Sequence, residues 1–168
     1  MKYKVFNEDN LNDSEIDETV VRVKAFILNS NNQILLASSN GGVQLIGGHV
    51  EDGEDQIETL KREIKEEAGI DISSEEISNP FYEVRHYIKN YFNTNKNTIA
   101  IIDYYVVRTD KQPNIEKTKL TKQEQNYAFG LKYIPYDSFE EYVKSFLNSE
   151  KQINRIIANE TLAAFDAL

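Results

Sequence analysis

The stretch from Gly48 to Ile70, GHVEDGEDQIETLKREIKEEAGI, constrains the fold more than any other part of the chain. It reads as a glycine turn, a short acidic loop and one helix. Asp55 is placed to cap the helix N-terminus, and Glu58, three residues on, completes a capping box. Acidic charge in that first turn is favoured by the helix dipole. Gly69 supplies the left-handed cap that ends it. At roughly 100° per residue, Ile57, Leu60, Ile64 and Ala68 fall in one arc about 80° wide, and Glu63, Glu66 and Glu67 in an adjacent arc about 100° wide. One face wants a core, and the next concentrates carboxylates.

Like charges at i,i+3 and i,i+4 repel and weaken a helix. A divalent hard cation would offset that cost, because Mg2+ or Mn2+ prefers carboxylate and carbonyl oxygen, and Mg2+ sites commonly include substrate phosphates. A solvated acidic face is the other reading of the same residues.

The full spacing decides between them. Gly48 is followed after five residues by Glu54, and after seven more by Arg62-Glu63-Ile64. Glu66-Glu67 and Gly69-Ile70 follow, each after one residue. The stretch resembles the Nudix box, GX5EX7REUXEEXGU with U a bulky aliphatic, at every specified position. With the flanking pattern, the resemblance extends over roughly Val20 to Leu147.

The resemblance implies roles for particular residues. Glu66 and Glu67 match direct metal ligands, and Glu63 a ligand or the base that orients water. The carbonyl of Gly47 matches a further ligand. Arg62 and Glu54 match an ion pair that holds the loop against the helix. The implied reaction is metal-dependent hydrolysis of a diphosphate linkage in a nucleoside diphosphate joined to a further group, with Mg2+ or Mn2+ as cofactor. One more acidic residue outside the box often assists in the family. Glu124 is the candidate here, with Glu116 and Asp103 as rivals. Two departures stand beside the match. Many members have proline where this chain has Ile46, and His49 after the glycine pair is a variant seen in part of the family. His49 is a candidate phosphate contact or a turn histidine with a structural hydrogen bond.

Length and charge bound the rest. A chain of 168 residues fits one domain with a real core. There are no cysteines, hence no disulfide and no thiolate chemistry. That absence also weighs against an isomerase of the isopentenyl diphosphate type, whose relatives use a thiol. No apolar leader or membrane-length run is visible, which leads to the expectation of a cytoplasmic protein with no membrane contact. The net charge of −9 speaks against a nucleic-acid partner but not against a small anionic nucleotide, since a bound metal inverts the local field.

The chain order predicts a single Nudix domain over residues 1–168, with a polar lead-in to residue 18 and C-terminal helices from 138 to 168. Tyr3–Phe6 is a candidate short strand. Thr19–Leu28 and Gln33–Ser38 read as strands joined by an asparagine-rich turn. Phe81–Phe92 and Thr98–Arg108 read as an antiparallel pair, the second apolar enough to be central. Leu131–Ile134 reads as a late strand. Ser138–Leu147 reads as a helix with Phe139, Tyr142, Val143 and Phe146 on one face. Glu150–Leu168 reads as another, with Ile153, Ile156, Ile157 and later Phe165 as its apolar residues. The expected fold is α/β: a Nudix-type α/β/α sandwich with a mixed β-sheet between helices.

Substrate is less constrained. The proline that ADP-ribose hydrolases of the family often show a short way past the box is absent, and Arg85 and His86 stand there instead. The SQPWPFP-type run of the reduced-dinucleotide members is absent too. Arg85 and Tyr87 are candidate pocket residues, the tyrosine stacking on a base. A tyrosine on the sheet is the plainer account in a chain with ten of them. A Nudix-fold module that binds a nucleotide without cleaving it is the alternative to an enzyme. The intact Glu63, Glu66 and Glu67 favour the enzyme. The C-terminal helical stretch either closes the monomer core or supplies a homodimer face.

Overall fold

The computed structural model describes residues 1–120 and 129–168. Its described strands are β1 (Lys2–Phe6), β2 (Glu18–Leu28), β3 (Gln33–Ser39), β4 (Gly42–Gln44), β5 (Tyr82–Ile88), β6 (Thr98–Arg108) and β7 (Gly130–Pro135). The helices are α1 (Gln56–Ala68), α2 (Tyr136–Lys144) and α3 (Gln152–Phe165). The strands run in the order β1-β5-β6-β2-β3-β4, with β7 paired to β3. β6 pairs antiparallel with β5 and parallel with β2, and β1 pairs parallel with β5. The sheet is therefore mixed, as expected.

Both faces of the sheet are covered. Val23, Ala25 and Ile27 of β2 join Tyr105 and Val107 of β6 and the apolar face of α1, Leu60, Ile64 and Ala68, in one core. The alternate residues, Phe26 and Leu28 of β2 with Ile102 and Tyr104 of β6, meet Phe139 and Val143 of α2 and Ala158 and Ala164 of α3 in the other. Covering on both sides explains why β2 and β6 read as almost unbroken apolar runs. Among the described residues, no helix is long and apolar enough to cross a membrane.

One irregularity shapes the molecule. β2 and β3 pair only at Ile27–Leu35 and Leu28–Ile34, then diverge. The segment after β4 comes back to fill the vacated edge of β2. Ala25 N–H donates to Ile46 O at 3.0 Å, Val23 N–H to Gly48 O at 3.0 Å, and Val50 N–H to Val21 O at 3.0 Å. The divergence leaves a cleft where the carboxylate helix passes β2.

One expectation is corrected, and one helix buries an unexpected face. The strand read over Phe81–Phe92 stops at Ile88. Asn90 and Phe92 take left-handed backbone, φ 49° and 47°, and the chain turns through Tyr91–Asn93. In α3 the apolar residues Ile153, Ile156 and Ile157 do not form the buried face. Ile153 is exposed, whereas Asn154, Ala158, Glu160, Thr161 and Ala164 are buried. A Cβ on Gly42 would come within 2.3 Å of Asn154 Oδ1, so α3 rides close on β4 and has little room there for branched side chains.

Glu160 explains the polar character of that face. Its Oε1 accepts from Lys24 Nζ at 2.9 Å and its Oε2 lies 2.8 Å from His86 Nε2. Phe6 of β1 stacks on the His86 ring at 4.7 Å. One buried carboxylate thus ties α3 to β2 and β5. Burial pushes this carboxyl up, but Lys24 and His86 outweigh burial and hold it below its ordinary value of 4.5. A depressed value in the folded state means the stabilisation is present above 4.5 and is lost as pH falls through the folded value. Glu160→Gln, which strands Lys24 in the interior, is expected to cost about 3–5 kcal/mol at pH 7. Denaturant melts should show the gap to the wild type narrowing below pH 4.5. An equal gap at every pH would disprove the pairing as its cause.

Candidate active site

The helix forms as its sequence dictates. Asp55 Oδ1 accepts from Glu58 N–H at 2.8 Å, and Glu58 Oε2 accepts from Asp55 N–H at 3.1 Å, so the capping box is closed. Gly69, at φ 66°, ends the helix by donating its N–H to Lys65 O at 3.0 Å. Leu60, Ile64 and Ala68 are fully buried. That anchorage turns the carboxylate face towards the cleft.

Arg62 organises what lies there. Its Nε donates to Glu54 Oε1 at 2.8 Å and its Nη2 to Glu54 Oε2 at 3.0 Å, a two-pronged pair. Nη2 also donates to His49 O at 3.1 Å. Nη1 donates to Glu63 Oε1 at 2.8 Å and Glu66 Oε2 at 3.3 Å. One guanidinium therefore joins the glycine turn, the acidic loop and two carboxylates of the helix. The Arg62 hydrogen bonds, helped by Thr59, bring the Glu54 carboxyl down to about 2, and the same contacts push the Arg62 value up.

The glycine pair is required by close approach. Gly47 has φ 147°, and a Cβ on it would lie 2.1 Å from Val23 O. A Cβ on Gly48 would lie 2.1 Å from Glu63 Oε1. Side chains at either position would prise the turn away from β2 or from the carboxylate.

Gly47, Gly48, Glu63, Glu66 and Glu67 line one cavity of about 370 Å3, and Glu67 is 5% exposed. Its donors are hard oxygens, and Glu63 and Glu66 already converge on one cationic nitrogen. As the side chains stand, no group of three acidic or imidazole residues among the described residues is gathered to hold a metal ion.

Other expected residues fall elsewhere. The His49 side chain is exposed and faces a neighbouring groove with Val21 and Glu51, while its backbone carbonyl serves Arg62. Arg85 and Tyr87 do not line the carboxylate cavity. They stand on β5, with β6 between them and β2. Arg85 Nε donates to Glu83 Oε1 at 2.5 Å and its guanidinium lies 5.3 Å from the Tyr3 ring centre. The Tyr87 hydroxyl donates to Asp13 Oδ1 at 2.6 Å. Of the acidic candidates outside the box, Glu124 lies outside the described residues. Glu116 sits in an exposed turn. Asp103 is buried on β6, its Oδ2 accepting from Gln56 Nε2 at 2.6 Å, and burial pushes its carboxyl up. Neither lines the cavity.

The cavity also has walls the sequence reading missed: Arg22, Gln44, Glu51 and Lys119. Arg22 left one trace, a cation within the apolar run TVVRVKAFIL. Lys119 left none, because its position depends on a loop folded back over α1.

A family model described as NUDIX domain matches residues 18–153. The chain belongs to this family. Solved structures agree in fold. A MutT protein from Methanosarcina mazei Go1 is 20% identical with a TM-score of 0.54, covering 88% of this chain and 93% of its own. The dihydroneopterin triphosphate pyrophosphohydrolase of E. coli is 16% identical with a TM-score of 0.54, covering 86% and 95%. A MutT structure described for Aliivibrio salmonicida and Vibrio cholerae is 19% identical with a TM-score of 0.53, covering 86% and 96%. No curated protein matches the chain in sequence. The Nudix match begins at the first residue of β2, so β1 lies outside it.

The Arg62–Glu54 pair carries a pH signature. Glu54 is depressed from 4.5 to about 2 in the folded protein, so its contribution is complete above pH 4.5 and disappears as pH falls towards 2. Thermal melts of Glu54→Gln are expected to be less stable than wild type at pH 7 and to converge on it between pH 4.5 and 2. Parallel curves across that window would rule the pair out as the source.

Proposed function

We propose that this Nudix pyrophosphohydrolase depends on a divalent cation and cleaves a diphosphate linkage in a nucleoside diphosphate joined to a further group. The observation that supports this most directly is the convergence of Glu63 and Glu66, beside buried Glu67 and the glycine pair, in one cavity. Glu63, Glu66, Glu67 and the Gly47 carbonyl would hold Mg2+ or Mn2+, whose hard-acid preference matches that donor set. Bound there, the cation would supply charge neutralisation at phosphate oxygens and a more acidic water.

The chain's own residues do the rest. Gly48 lets the substrate-side turn lie directly against Glu63. Glu63 is the carboxylate we assign to accept the proton of the attacking water. The water oxygen bonds to phosphorus, the bridging P–O bond breaks, and its electron pair leaves with the departing phosphate. Arg62 keeps Glu63 and Glu66 aimed into the cavity, so much of the rate comes from positioning. Glu124 remains the proposed assisting acid from outside the box. The pyrophosphohydrolase named among the fold neighbours acts on a triphosphate, which accords with a diphosphate-cleaving reading.

A small nucleotide rather than a nucleic acid suits a chain of net charge −9, and we place the protein in the cytoplasm. The packing of α2 and α3 against the sheet supports the reading in which the C-terminal stretch closes the monomer core rather than the one in which it supplies a homodimer face.

A panel of nucleoside triphosphates, nucleotide sugars, ADP-ribose, dinucleotides and dinucleoside polyphosphates, with Mg2+ and then Mn2+, tests the reading. Glu67→Gln is expected to fold normally and lose about 100-fold or more in kcat. Full turnover in that folded variant would refute the assignment. If nothing in the panel is cleaved and one nucleotide still raises the melting temperature, the protein is a binding module instead.

A further inference from the structure

The carboxylate cavity holds an apparent contradiction. Its substrate is read as a polyanion, yet Glu51, Glu63, Glu66 and Glu67 all line it. Arg62 is committed to Glu54, Glu63, Glu66 and the His49 carbonyl. Two other cations line the same walls, Arg22 from β2 and Lys119 from the loop after β6.

Both are tied to the box through their backbones. Arg22 is paired across from His49, and its neighbour Val23 donates to Gly48 O at 3.0 Å. Lys119 donates its N–H to Glu66 O at 2.8 Å, and Asn114 of the same loop donates to Ala68 O at 2.8 Å. Gly69 permits that loop to cross, since a Cβ there would meet Asn114 O at 2.1 Å. These bonds hold the backbone at Lys119 against the end of the carboxylate helix, and β2 holds Arg22 beside the glycine turn. The Arg22 side chain is oriented in turn by donating from Nη2 to Tyr91 OH at 3.1 Å. In a chain with 28 acidic and 19 basic residues, two such placements at one acidic cavity call for a ligand with negative charge.

Resting on the reading of the site as diphosphate-cleaving, we propose that Arg22 and Lys119 clamp the phosphates of the substrate. The planar guanidinium suits two oxygens of one phosphate, and the ammonium acts as a point charge on its neighbour. Their task is to hold the polyphosphate over the carboxylates.

Calorimetric titration of the whole chain with imidodiphosphate, a non-hydrolysable diphosphate, in the presence of Mg2+ tests this without turnover. Arg22→Gln, which keeps a donor for Tyr91, and Lys119→Met are each expected to bind about tenfold more weakly, with the double variant weaker still. Lys119→Arg should stay within about threefold of wild type. Tyr91→Phe, which keeps the cation and removes its hydrogen bond, should lose less than Arg22→Gln. Unchanged affinity in both charge-removing variants overturns the clamp, as does a wild type that binds no probe. A loss in Tyr91→Phe equal to that in Arg22→Gln assigns the effect to the turn and removes Arg22 from the proposal. The two readings separate cleanly. A protein that cleaves nothing but binds imidodiphosphate through these cations keeps the clamp and loses the hydrolase. Normal cleavage with unaltered probe affinity does the reverse.

Discussion

The guanidinium of Arg62 is the interaction on which the site depends. It reaches a loop carboxylate, a turn carbonyl and two helix carboxylates. Without a cation between them, Glu63 and Glu66 would repel along α1 and splay towards solvent. With it, the acidic face of the helix becomes an ordered surface. The Glu54 partner is held ionised far below ordinary acid strength, so the loop stays latched wherever the protein is folded at moderate pH.

That latch has meaning because of how the sheet is built. β2 abandons β3 after two paired positions and takes the segment from Ile46 to Val50 as its neighbour instead. The glycine pair makes the exchange feasible, since Gly47 presses on the β2 backbone and Gly48 on Glu63. A regular sheet would have left no cleft, and a cleft without the glycines would have stood further from the carboxylates. Backbone geometry and side-chain chemistry thus meet at the same few residues.

The parts legible in the sequence were those governed by local rules. The capping box of α1, its glycine stop and its buried face follow from spacing alone, and β2, β3, β6 and β7 follow from apolar runs. Contacts between distant segments were not legible. The parallel pairing of β1 with β5 joins residues some eighty apart, such as Lys2 and Tyr82, and nothing local announces it. The helix of α3 was legible but its buried face was not, because burial there selects small and polar residues, with Glu160 serving Lys24 and His86. Within the site, Arg62 and Glu54 were readable as a pair from the box. Arg22 and Lys119 were not, since their places are set by strand divergence and by a loop folded over α1. Arg85 and Tyr87 looked suitable by chemistry, but β6 separates their strand from β2.

Arg22 and Lys24 show how one strand serves two needs. They occupy alternate positions on β2, on the same face, in a strand that is apolar at its other positions from Val20 on. Lys24 is 8% exposed, and a buried ammonium is tolerated only when paired and hydrogen-bonded, which Glu160 provides. Arg22 lies two residues earlier, where β2 borders the cleft, and it donates to the hydroxyl of Tyr91. A neutral partner orients a cation without cancelling its charge. Two cations at the same parity are thus used differently, Lys24 neutralised by a carboxylate in the core and Arg22 set beside the carboxylates of the cavity, and the difference comes from where the sheet opens.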